Sequence, residues 1–247
     1  MRILAIESAT ADCSVALRIG DRHLQASATA ATAKPSEQLP GLVARLLAEA
    51  GVGLRSLDVV AYDHGPGAFT GIRIGCGLAQ GLALGADLPL LGICSLRVLA
   101  MQAPQGRVLA ALDARMAEVY WAVFERGTLA ELPTARALSE ARVEPPQGWT
   151  CPAGVAHALG DGFGVALETA VDAAGTAAQR HRLASRVPDT VRLLDDTARP
   201  RAIEMLPLAA ADLAAGLAMP PEAASPLYVR DKVALTAAEQ LARRAGR

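Results

Sequence analysis

The sequence predicts an α/β protein of two related halves, each opening with a strand hairpin. Three stretches carry that expectation. Two apolar hairpins are written at 2–19 and 108–124. Apolar residues recur at helical spacing from Leu39 to Ala50. A β-α-β segment at 58–93 carries glycine repeatedly through its helix.

Residues 2–8 and 13–19 read as apolar strands joined by the small turn Ala9-Thr10-Ala11-Asp12, and 22–28 extend them as a third. From Ser36 the period changes: Leu39, Leu42, Val43, Leu46, Leu47 and Ala50 fall on one helical face. Ser36 is read as the N-cap and Gly51 as the stop. Strand 58–62, helix 70–85 and strand 88–93 complete the first half. The second half opens with 108–114 and 118–124 around the turn Arg115-Met116-Ala117. Residues 131–149, rich in Pro, Glu and Arg, read as an exposed connection with one short helix at most. Gly160, Gly162 and Gly164 fall in a loop; no long apolar strand precedes them, so their spacing makes a poor dinucleotide fingerprint. An alanine-rich helix at 203–218 and an extended tail follow. The division is 1–102 and 103–235, the late helix packing back on the first half, with 236–247 as a charged tail.

Composition excludes several function classes. The chain has 247 residues, 52% hydrophobic but only 3% aromatic, so Ala, Leu and Val must build the core. A net charge of −1 gives no broad nucleic-acid surface. Lys34 and Lys232 are the only lysines, which leaves P-loop chemistry almost without candidates. Cys13, Cys76, Cys94 and Cys151 form no C-x-x-C pair and read as reduced, packed thiols. The four histidines are scattered, so neither a metal site nor a metallopeptidase is expected. The window 75–94 holds Gln80, Asp87, Pro89 and several glycines, a poor membrane span, and the expected compartment is the cytoplasm.

The glycine helix is the most informative stretch. A mid-helix glycine costs roughly 1 kcal/mol against alanine, yet this one carries Gly71, Gly75, Gly77, Gly81 and Gly85. Gly77, Gly81 and Gly85 stack on one face and leave room for another backbone. The turn His64-Gly65-Pro66-Gly67 before it offers helix-start amides to an anion. A docking helix and a phosphate cradle are both open on these residues. Two hairpin-end acids keep a phosphotransferase reading alive. Glu7, followed by Ser8 and Thr10, stands where a carboxylate would organise Mg²⁺ and hydroxyls would hold phosphate. Asp113 stands at the matching place in the second half, as a general base or as a partner of Arg115.

The stretches MRILAIESAT, SEQLPGLVARLLAEAG, YDHGPGAFTGIRIGCGLAQGLALGADLPLLGICSL, LAALDARMAEVYWAVF and SPLYVRDKVA together resemble the bacterial TsaB (YeaZ) family. The resemblance implies an ASKHA fold, actin- and Hsp70-like, of two βββαβα-type halves, degenerate in the second. It implies a non-catalytic subunit that binds TsaD, joins TsaE (an ATPase), and pairs with itself when TsaD is absent. The complex then threonylcarbamoylates the adenosine next to the anticodon in tRNAs reading ANN codons, with ATP or ADP and a metal ion in the assembly and none held by this chain alone. The implied partner contacts are Leu39, Leu42, Val43, Leu46, Gly71, Ile72, Gly75, Leu78, Gly81 and Leu82, with Glu7, Ser8, Thr10 and Asp113 as a vestigial phosphate loop. The place of TsaD's histidine motif reads GICSLRVLA here, without histidine. Relatives often carry histidine where this chain has Pro35, which changes how the leucine helix starts. The rival reading is an ATP-dependent ASKHA phosphotransferase using Glu7 and Asp113.

Overall fold

The computed structural model describes residues 1–29, 34–165, 167 and 182–230. β1 (Arg2–Glu7), β2 (Cys13–Ile19) and β3 (Arg22–Ala28) form an antiparallel meander, as their short connections require. β4 (Val59–Gly65) and β5 (Leu90–Cys94) add parallel on the other side of β1, giving the order β3-β2-β1-β4-β5. Parallel neighbours need crossovers, supplied by α1 (Pro35–Ala50) and α2 (Phe69–Ala86). The short α3 (Ser95–Ala100) leads to the second sheet. There β6 (Gly106–Arg115), β7 (Glu118–Leu129) and β8 (Leu132–Ala137) repeat the meander. β9 (Arg142–Glu144) pairs with β7, and β10 (His157–Leu159) and β11 (Arg192–Asp195) add parallel beside β6. The order β8-β7-β6-β10-β11 repeats that of the first sheet, strand for strand.

Alternation along the strands sets the layers. Leu4, Ile6, Val15, Leu17 and Val60 face α1 and α2. Ile3, Ala5, Ala16, Val59 and Ala61 face the opposite way, onto α3 and α4 (Ala202–Ala214). The same two helices pack under Val108, Ala110 and Leu112 of the second sheet. Ala209 and Ala210 of α4 are fully buried, and their small side chains let two sheets close on one helix. Among the described residues the far face of the second sheet is covered by Trp149, Phe163 and Leu183, the last two on short 3-10 turns, with Trp121, Trp149 and Phe163 stacked edge to face at 6.4 and 6.2 Å.

Two expectations are corrected. Ser36 is not the N-cap: Lys34 is, because Pro35 opens α1, where its fixed φ suits the helix and its missing N–H costs nothing. Gly51 does end that helix, at φ 68°. Residues 131–149 are not a bare connection but contain β8 and β9; the length of β7 gives both an edge to pair with, which local composition hides. The tail 236–247 lies outside the described residues. The segment after α4 returns across the molecule as a strap. Met219 bridges Leu90 through two 2.8 Å hydrogen bonds, Leu227 donates to the His64 carbonyl at 2.7 Å, and Arg230 pairs with Glu118 in the second half.

Candidate functional site

Two regions compete for function: the outer face of α2 and the cleft between the halves. The first turns of α2 lie directly on the β1–β2 loop. A Cβ at Gly67 would stand 2.3 Å from the Ala9 carbonyl oxygen, at Gly71 2.1 Å from that of Ser8, and at Gly75 2.3 Å from Ser8 Oγ. The Ala68 N–H donates to the Ala9 carbonyl at 2.7 Å, so a protein oxygen takes an amide that an anion would need. Further along, the relation inverts. Among the described residues nothing lies within 4 Å of a Cβ at Gly77, Gly81 or Gly85. All three are exposed, on one face with half-buried Ile74, Leu78 and Leu82 and exposed Leu84.

The predicted partner contacts therefore divide. Gly81 is exposed and Leu78 and Leu82 are half-buried on that outer face. Gly71, Ile72 and Gly75 are buried against the chain's own loop, and Leu39, Leu42, Val43 and Leu46 against its own sheet. The leucine ridge is thus core rather than a surface; α1 shows solvent Pro40, Gly41, Ala44, Arg45 and Ala48 instead.

The vestigial phosphate loop is closed from within. Glu7 is 1% exposed and accepts hydrogen bonds from the Ala9 N–H (2.8 Å) and Ser14 Oγ (3.2 Å). Burial first, and the nearby Asp63 second, push its carboxyl well above the usual carboxylate range. Asp63, also fully buried, is pushed up to about 7 by burial, against hydrogen bonds to Oδ1 from Ser95 Oγ (2.5 Å) and the Gly65 N–H (2.8 Å). Ser8 Oγ donates to the Gly71 carbonyl at 2.9 Å and faces no cleft. Asp113 and Thr10 do line the cleft, but Asp113 accepts from the Arg115 N–H (2.7 Å) and Nη1 (2.9 Å), the turn-closing role.

These residues do not fit Mg-nucleotide chemistry. Glu7 cannot reach the cleft, and among the described residues no group of three or more His, Cys, Asp or Glu side chains could hold a metal ion. The GICSLRVLA segment serves structure: Ser95 holds Asp63, and Arg97 binds Asp212 of α4 at 2.6 and 2.9 Å while reaching Ala135 and Thr134 of β8. Gly160 and Gly162 have a packing reason, since a Cβ at either would strike the β6 backbone.

A family profile described as "TsaD: tRNA N6-adenosine threonylcarbamoyltransferase" matches residues 29–238. The structure of YeaZ from Pseudomonas aeruginosa is similar with a TM-score of 0.76 at 33% identity, over 92% of this chain and 99% of that one. The chain belongs to the TsaB (YeaZ) family. Another P. aeruginosa structure, of an uncharacterized protein with similarity to peptidase YeaZ, gives a TM-score of 0.77 at 33% identity, over 93% and 99% of the two chains. Sequence relatives named "tRNA threonylcarbamoyladenosine biosynthesis protein TsaB" include those of Escherichia coli and Haemophilus influenzae. The first is 46% identical over 130 residues, 51% of this chain and 56% of that protein. The second is 41% identical over 125 residues, 49% and 52%. The matched region spans about half the length of these curated TsaB relatives.

Sequence reasoning missed the polar groups that hold this TsaB-family chain together. Arg97 is the one charge of α3 and Asp212 follows a long apolar run in α4, a readable sign of a buried pair. Asp63 follows the apolar run Val59-Val60-Ala61-Tyr62 within β4, a similar sign. Arg199, which joins Asp161 at 3.1 Å and Asp12 at 2.9 Å across the halves, gave no local sign because its partners are distant in sequence.

Proposed function

We propose that this chain is a non-catalytic scaffold subunit that pairs with TsaD and enables threonylcarbamoylation of the adenosine next to the anticodon in tRNAs reading ANN codons. The observation that carries this reading is the exposed, nearly bare ridge Gly77-Gly81-Gly85 flanked by Leu78, Leu82 and Leu84. A helix that gives up side chains on its solvent face loses stability for no internal gain. A second helix laid against that ridge regains it through close backbone approach. The self-pair uses the same ridge in the absence of TsaD, and TsaE, an ATPase, joins the heterodimer. ATP or ADP and a metal ion belong to the assembly and are held outside this chain's cleft, and tRNA is met through the complex. No helix among the described residues is long and apolar enough to cross a membrane, which accords with action in the cytoplasm.

Against the phosphotransferase alternative, Glu7 is sealed in the core, and Asp113, although it lines the cleft, is engaged by Arg115. The test is to mix the purified chain with TsaD and measure mass by light scattering, with Gly81→Trp beside the wild type. Heterodimer mass for the wild type, and separate species for a folded Gly81→Trp, are expected. Separate wild-type species under conditions that sustain tRNA modification would reject the scaffold role.

A further inference from the structure

A groove of about 490 Å³ lies beside the start of α4, between the β2–β3 and β7–β8 hairpins. Strand alternation decides which side chains reach it. In β2, Ala16 packs on the α3–α4 core while Val15 and Leu17 pack towards α1 and α2, so Arg18 shares the face of Ala16. His23 of β3 is its cross-strand partner and lies on the same face. In β7, Ala122 and Phe124 pack on that core too, which puts Arg126 on the α4 side of the second sheet. Arg18 and His23 therefore line the groove from one half and Arg126 from the other.

The charges there do not balance. Glu204 is claimed by Arg201, one turn earlier. Asp21 is the one acid left in the lining, and neither Arg18 nor Arg126 makes an ion pair among the described residues. Arg18 donates from Nε to the Gly20 carbonyl at 2.9 Å. Arg126 donates from Nη1 to the carbonyls of Gly127 (2.9 Å) and Thr134 (3.3 Å). A carbonyl satisfies an N–H but neutralises no charge. Burial pulls the Arg126 guanidinium below its ordinary value, with no carboxylate to offset it. Its Nε is sealed away from any ligand, so the approachable edge is Nη2, which is neither sealed nor bonded among the described residues. A half-buried, unpaired cation is costly to hold. Arg18 and His23, directly opposite on one sheet face, add to that cost once the imidazole is protonated. A bound anion would offset both.

We propose that this groove binds a small organic anion, a single carboxylate on an apolar body, with the carboxylate at Arg126 Nη2 and Arg18 adding attraction from the opposite wall. Two unclaimed guanidinium groups against one unclaimed carboxylate leave one positive charge, which matches a monoanion. Met101, Leu132, Ile203 and Pro207 supply the apolar lining. The volume falls within the roughly 300–1,000 Å³ of small-molecule pockets. The groove lies on the face of the first sheet turned away from α2, so it stands whether or not TsaD pairs there.

Benzoate, benzamide and acetate are titrated into the full chain and followed by NMR. Benzoate is expected to bind best and to shift resonances of Met101, Leu132 and Ile203. Benzamide keeps the ring without the charge and acetate the charge without the ring, and each should bind about tenfold more weakly. Arg126→Gln should weaken benzoate about tenfold or more, the loss for a hydrogen bond to a charged group. Arg18→Gln should weaken it about two- to fivefold, the scale of a screened pair. If Arg126→Gln disturbs the β7–β8 hairpin, Arg18→Gln decides together with a salt titration, since added NaCl should weaken benzoate and leave benzamide unchanged. No benzoate binding at millimolar concentration, benzamide or acetate binding as tightly as benzoate, shifts confined to another surface, or unchanged affinity in either folded variant would each overturn the assignment.

Discussion

The two ends of α2 use the same residue for opposite reasons. At Gly71 and Gly75 glycine is needed because Ser8 sits where a Cβ would be. At Gly77, Gly81 and Gly85 the space is open, and nothing among the described residues explains the absence of side chains. The comparison separates glycines that serve the fold from glycines that serve a surface, which sequence spacing cannot do. A fold glycine is intolerant of a methyl group, whereas a surface glycine inside a helix should tolerate it or gain from it.

The largest expected effect is at the fold end. Gly71→Ala should destabilise by about 3 kcal/mol or more, because its Cβ meets backbone, which cannot rotate away. Urea unfolding measures this, and a loss below 1 kcal/mol would dissolve the distinction between the two ends.

Next comes Asp63, whose carboxyl sits at the strand end feeding α2. Its folded pKa is about 7 against an ordinary value near 4, so the native state holds a proton that the unfolded chain releases. Stability should therefore fall as pH rises between those values. Asp63→Asn cannot ionise and keeps the Oδ1 acceptor for Ser95 and Gly65. It should match the wild type near pH 4 and exceed it by a margin that grows up to about pH 7 and then levels off. Equal pH profiles in chemical denaturation would rule out the ionisation penalty.

Gly75→Ala is intermediate, because the obstructing atom is the side-chain Ser8 Oγ rather than backbone. A cost of about 1–2 kcal/mol is expected. Ser8→Ala should recover part of it in a double-mutant cycle, and strict additivity would show that the clash is not the cause.

Gly77→Ala and Gly81→Ala give the smallest effects and the opposite sign, a gain of up to about 1 kcal/mol each in the isolated chain. A thermal melt reads this directly. Destabilisation there would mean the outer face carries internal strain and is no separate ridge.

Much of the fold was legible where interactions are local and periodic. The hairpins 2–19 and 108–124, the leucine period of α1 and the glycine helix all follow from spacing. β8 and β9 were not legible, since Pro133 and the charged residues around them mask strands that exist by pairing with β7. Of the candidate site, the ridge at Gly81 was visible, but not the burial of Leu39, Leu42, Val43 and Leu46. An amphipathic helix shows which residues are apolar and not which body covers them.

The sequence by itself determined the α/β class, the paired halves and the unusual helix, because periodicity and backbone preference act within a few residues. Tertiary structure alone decided that Glu7 is a core acid, that the fold glycines and surface glycines part company within α2, and that Asp12 and Asp161 meet at Arg199. Those outcomes depend on which distant backbone arrives beside each residue, and no local pattern records that encounter.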